Sequence, residues 1–305
     1  MSLLKVISAV IVPAVLVYAS AASAQRATEA SASGHEMLEA IETLDHSRAE
    51  KLLQRGFSPN TPFSGSGASA THVAARIGDA KMLALFIEYG AIVDLPTQDT
   101  RRDSPLLIAA GAGNLGGARY LLAHGANPNY QNGVKNDDYA VSHYAATSQN
   151  GLKMLKLLSR YKTNFNVASL AKTSVLNSAI FSDRADAADF LLTNGVDGEA
   201  KDIAGLRPIC HAVLKRDIDV IRIMIKHRVS LSHLDCSDGV SGGLSPLHVA
   251  SGSGSVEIVR VLTKAGASWE LRSTQGMLPE DIAKAQGHTE TVSYLRGLMM
   301  GRRNP

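Results

Sequence analysis

Two cysteines and one tryptophan are all the chain has of those residues in 305 positions, and aromatics make up only 5% of it. One disulfide is the most it can form, which excludes a disulfide-dense scaffold. No Cys-x-x-Cys or His-x-x-x-His pair occurs, so the spacing typical of metal ligands is missing. GSGASATH (65–72) is rich in glycine and serine but lacks the Gly-Lys-Ser/Thr end of a phosphate loop. Charge is scarce and nearly balanced, with 19% charged residues and a net +3. No basic stripe stands out, so nucleic-acid binding has no electrostatic footprint. These absences point away from an enzyme. No catalytic residue, cofactor or metal is expected.

The first 24 residues differ from the rest. Lys5 precedes an apolar run from Val6 to Val17, and Ala22-Ser23-Ala24 has the small-x-small form that a signal peptidase accepts. The run is shorter than the ~20 residues that span a bilayer, and no later stretch is more apolar. The expected organisation is a signal peptide over 1–24 and a polar tether over 25–34. A folded domain follows over 35–297, with a short tail over 298–305. In a bacterium, cleavage before Gln25 would deliver the chain to the periplasm, or beyond it if secreted, with no membrane insertion. In such a compartment Cys210 and Cys236 are candidates for pairing. Otherwise Cys210 is a small buried filler and Cys236 an exposed loop thiol.

What fills the domain is a repeat. SATHVAARIGD (69–79), SPLLIAAGAGN (104–114), AVSHYAATSQN (140–150), TSVLNSAIFSD (173–183), RPICHAVLKRD (207–217) and SPLHVASGSGS (245–255) resemble one another. Their fourth residues fall at 72, 107, 143, 176, 210 and 248. Each is followed by a second apolar run and a turn, whose turn residues fall at 90, 125, 162, 195, 228 and 266. Two landmarks with one period of roughly 33 residues define a repeat array. Pro105, Pro208 and Pro246 suit the first turn of a helix, where a missing N–H costs nothing. Gly90, Gly125, Gly195 and Gly266 suit a left-handed helix end. Lys162 and Arg228 stand at that same place, where a left-handed backbone is unfavourable, so those two turns are expected to be reshaped. No unit of this size buries its apolar face alone, but stacked copies do.

The array resembles the ankyrin repeat family. Ser245-Pro246-Leu247-His248-Val249-Ala250 is close to that family's Thr-Pro-Leu-His-x-Ala, and Ala123-His124-Gly125-Ala126-Asn127-Pro128-Asn129 is similar to its second turn. The resemblance runs from about Glu36 to Gly297. It implies an all-α solenoid of about eight helix-turn-helix units with finger loops. His72, His143 and His248 then read as turn histidines bonded to the backbone, with Leu107, Leu176 and Cys210 in their place elsewhere. The resemblance also implies a noncatalytic protein-binding module, here an exported bacterial one, monomeric, gripping a folded partner through its fingers and the concave face of its first helices.

Candidate contacts follow from that placement. The longer intervals mark extended fingers at 95–103, 130–139 and 235–244. The first carries Arg101, Arg102 and Asp103, and the second Lys135, Asp137, Asp138 and Tyr139. The row after the histidine position supplies Ile108, Tyr144, Asn177 and His211, and beside it lie Arg76 and Thr147. Tyr139 and Tyr144 are the aromatic anchors, a type enriched at binding hot spots. Two narrower roles fit an exported protein of this family: an immunity or accessory protein neutralising a secreted toxin or lipase, or a protective scaffold for a periplasmic enzyme.

Overall fold

A computed structural model describes residues 33–63, 65–133, 138–236 and 243–301. The expected signal peptide and nearly all of the expected tether lie outside these residues. Among the described residues the chain is helical, apart from three isolated antiparallel bridges, and its helices come in pairs. The first pair is α1 (33–42) and α2 (His46–Gln54). The second is α3 (Ala70–Ile77) and α4 (Ala80–Glu88), and the third α5 (Pro105–Gly111) and α6 (Leu115–Ala123). Then come α7 (Val141–Thr147) with α8 (Gly151–Leu158), α9 (Val175–Phe181) with α10 (Ala185–Thr193), and α11 (Pro208–Lys215) with α12 (Ile218–Lys226). The last pairs are α13 (Pro246–Gly252) with α14 (Val256–Lys264), and α15 (Pro279–Ala285) with α16 (Thr289–Gly301). Helix α1 already includes Ser33 and Gly34, and α16 continues past 297, so both ends of the folded domain extend beyond the expected limits.

The chain divides into two compact units. One holds the described residues up to Ala109 together with Gly116–Asn127, and the other holds Ala110–Leu115 and the residues from Pro128 onward. In the second unit the first helices stack on one another, α7 on α9, α9 on α11, α11 on α13 and α13 on α15. The second helices form the other layer, α8 on α10, α10 on α12 and α14 on α16. Both layers follow from composition. Paired alanines in the short first helices, such as Ala145-Ala146, are fully buried and allow close stacking. Second helices carry one apolar stripe, Ile258, Val259 and Leu262 in α14, with the remaining positions open to water.

The turn histidines hold successive repeats together. The Ser69 N–H donates to Nδ1 of His72 at 3.0 Å, so the other ring nitrogen, Nε2, carries the proton and donates to the Asp103 carbonyl at 3.1 Å. His143 does the same between Ala140 N–H and Thr173 O, and His248 between Ser245 N–H and Met277 O. Each histidine thus closes its own helix N-terminus and reaches the finger of the next repeat.

Three expectations need correction. In the fifth repeat Ser174 is the N-cap, and its Oγ accepts from the Asn177 N–H. Asn177, not Leu176, therefore stands at the histidine position. The turn at Arg228 is not reshaped, and that at Lys162 is reshaped only in that a 3-10 turn over Ser159–Tyr161 ends the helix before it. Both residues adopt the left-handed conformation, with φ of 55° and 58°, because the helix ends demand it. Cys236 is not exposed. It is 3% accessible and bonded to the fully buried Cys210.

Candidate protein-binding site

Expected contact residues gather in two places, one in each unit, and both lie on the first-helix side beside the fingers. In the first unit a cavity of about 390 Å³ opens among Arg76, Arg101, Asp103 and Ile108, with Leu38 and Phe63 in its wall. The finger that supplies it is tied down by its own polar groups. Thr97 Oγ1 donates to Asp99 Oδ1 at 2.6 Å and accepts from the Asp103 N–H at 2.9 Å, while Arg101 Nε meets Asp99 Oδ2 at 3.0 Å. Burial pushes the Asp99 carboxyl up, but the bonds from Thr97 and Arg101 outweigh it and leave it below the usual range. Arg101 and Arg102 are exposed, whereas Asp103 is 4% accessible and serves the finger's own structure.

In the second unit a cavity of about 290 Å³ lies between α7 and α9. Tyr139, Tyr144, Thr147 and Phe181 line it. The Tyr139 and Tyr144 rings meet edge to face with centroids 6.3 Å apart. Phe181 leaves 46% of its surface exposed, and its ring stands edge-on to His211 at 4.8 Å. His211 is fixed in turn by Asp202, whose Oδ2 lies 2.7 Å from Nε2. The floor is His143, whose pKa is lowered by burial, so it stays neutral near pH 7.

Other expected contacts fall elsewhere. Asn177 is fully buried and cannot touch a partner. Asp138 is half-buried, and its Oδ1 accepts from the Gly133 N–H, which closes the second finger. Lys135 and Asp137 lie outside the described residues. Phe181 was not anticipated. Its signal was present, since it stands four positions after Asn177 as Thr147 stands four after His143 and Arg76 four after His72. Taking Leu176 as the histidine equivalent shifts that row by one residue, about 100° around the helix, and hides it. Leu214, 53% exposed, holds the corresponding place in α11. Its neighbour Lys215 instead donates to the Ile180 and Phe181 carbonyls and caps α9.

The family described as "Ankyrin repeats (3 copies)" matches residues 31–132 and 178–273. The chain belongs to the ankyrin repeat family. Among curated relatives, cyclin-dependent kinase 4 inhibitor B of Rattus norvegicus is 31% identical over 105 residues, covering 34% of this chain and 77% of that protein. Ankyrin repeat protein L371 of Acanthamoeba polyphaga mimivirus is 24% identical over 191 residues, 61% of this chain. Tyrosine-protein kinase Shark of Drosophila melanogaster is 28% identical over 153 residues, 50% of this chain. The chain spans only 24% of the mimivirus protein and 16% of the kinase. The solved human ASB11 ankyrin repeat domain has the same fold, with a TM-score of 0.61 at 22% identity over 75% of this chain and 98% of that one. Ankyrin repeats are protein-protein interaction modules, and these repeats are of that kind.

Proposed function

We propose that the chain works as an exported, noncatalytic binding module that grips a folded partner at the aromatic cavity between α7 and α9. The observation that carries this is the exposed Phe181 beside Tyr139 and Tyr144, three aromatic rings around one opening on a rigid two-helix frame. Rigid aromatic anchors lose little conformational freedom on binding and dominate interface energetics. The arginine-lined cavity of the first unit offers a second contact area of different character. Export is supported by the buried Cys210–Cys236 disulfide, since such bonds persist in oxidising compartments. A module of this kind suits neutralising a secreted toxin or lipase, or shielding a periplasmic enzyme. The sequence of the captured partner separates these roles.

The test is affinity capture by the full chain from an extract of its source, beside Tyr144→Ala and Phe181→Ala. The expected result is a partner retained by the wild type and weakened at least tenfold by each variant, with far-UV circular dichroism unchanged. Equal capture by all three would move the site away from this cavity. Cell fractionation with N-terminal sequencing tests export separately.

A further inference from the structure

We propose that opening the Cys210–Cys236 disulfide turns Cys210, Asp235 and Cys236 into a binding site for a thiophilic divalent cation, with Zn²⁺ the natural occupant. Both sulfurs and a carboxylate oxygen of Asp235 lie within 4.8 Å of one another. Cys210 lies in the first turn of the sixth repeat's first helix, at the histidine position, and Cys236 sits on the following finger. The fold thus brings together ligands whose sequence spacing gives no metal signal.

Asp235 supplies the second observation. Its Oδ2 is held by Arg207 Nε at 2.7 Å and Lys201 Nζ at 2.9 Å. Its Oδ1 is buried and has no hydrogen-bond partner among the described residues. A buried acceptor left without a donor is unfavourable unless something fills the gap. Two cations therefore orient the carboxylate from one side and leave its other oxygen to a ligand, the arrangement that outer partners impose on metal-binding carboxylates.

The chemistry balances. Two thiols, or one dithiol, deliver two electrons to the S–S bond and leave as their own disulfide, and Cys210 and Cys236 become thiols. The cation then displaces one proton from each thiol to solvent and binds two thiolates and Oδ1. Two thiolates and one carboxylate carry three negative charges against the cation's two positive ones, and Arg207 and Lys201 offset the remainder. Two Zn–S bonds of about 2.3 Å in tetrahedral geometry require the sulfurs to part once the bond between them is broken. Water completes the coordination. Disulfide and metal are mutually exclusive, so the site exists before oxidation or wherever a thiol reductant reaches it.

The experiment uses the full chain, oxidised and phosphine-reduced, in the absence of oxygen. Zn²⁺ affinity is read by competition with a chromophoric chelator, and Cd²⁺ by its thiolate charge-transfer absorption. Expected are one equivalent bound by the reduced chain and none by the oxidised chain. Cys210→Ser should lose the charge-transfer band, and Asp235→Asn should keep both thiols yet bind Zn²⁺ at least tenfold more weakly. Far-UV circular dichroism follows the fold throughout. Helical signal that falls on reduction and returns with Zn²⁺ supports the site as well. Zn²⁺ binding no tighter after reduction, an Asp235→Asn variant equal to wild type, or a reduced chain that Zn²⁺ cannot refold would each overturn it.

Discussion

Asn177 stands where His72, His143 and His248 stand in three other repeats, yet neither of its side-chain polar atoms has a partner among the described residues. The carbonyl it would need is present. Asp103, Thr173 and Met277, which accept from the three histidines, each immediately precede an N-cap and accept a backbone N–H from their own finger. Leu206 has the same setting, accepting from the Asp202 N–H just before the N-cap Arg207. Asn177→His should restore the link and add about 1 kcal/mol, read as a higher urea midpoint. An unchanged or lower midpoint would show that the site lacks room for the ring. Arg228 is the opposite case, a side chain where glycine belongs. It is exposed and left-handed, so Arg228→Gly removes roughly 1–2 kcal/mol of backbone strain. Part of that is lost to glycine's freer unfolded chain, leaving a net gain of about 0.5–1 kcal/mol. Thermal melts of the two proteins side by side would reveal it, and a loss would mean that Arg228 holds the turn by contacts of its side chain.

At the scale of helices and fingers, stability depends on neutral histidine. Burial lowers the pKa of His72, His143 and His248 from the ordinary 6.5, although hydrogen bonds to backbone carbonyls pull the other way. The folded chain then binds fewer protons than the unfolded one below pH 6.5. Their contribution is complete above that pH and is lost as pH falls from it toward the lowered folded values. Melting temperature should be flat just above neutrality and drop through the mildly acidic range, less steeply in His248→Ala, which should itself melt lower than wild type. A melting temperature indifferent to pH there would contradict the bonding described. These elements were legible in sequence because each depends on a few local signals, a capping Ser, a Pro in the first turn and a Gly at the end. The fifth repeat misleads because Thr173 and Ser174 are adjacent and both are good caps, and one step between them rotates every side chain of α9. The disulfide was not legible, because pairing depends on the distance between a helix start and a finger, which composition does not encode. For the same reason Phe181 and Tyr144 share one opening although 37 positions separate them.

For the whole molecule, the two units differ in what holds them. Only the second contains the disulfide, and it also contains the chain's one tryptophan, Trp269. The bond closes a loop of 26 residues, which in the chain-entropy picture stabilises by roughly 3.5 kcal/mol. Repeat arrays unfold as linked neighbours rather than as one block. Reduction should therefore move the Trp269 fluorescence transition to lower urea while part of the circular-dichroism transition stays in place. Coincident shifts of both signals would mean that the array unfolds as a single cooperative unit.

The disulfide also changes what a severed backbone means for this chain. A protease that cuts anywhere between residues 211 and 235 would leave two pieces still joined through Cys210 and Cys236. Such a nicked molecule would migrate as one species until a reductant separated it. A single clip in the sixth repeat, which would part an ordinary helical array into fragments, leaves this one a continuous covalent molecule.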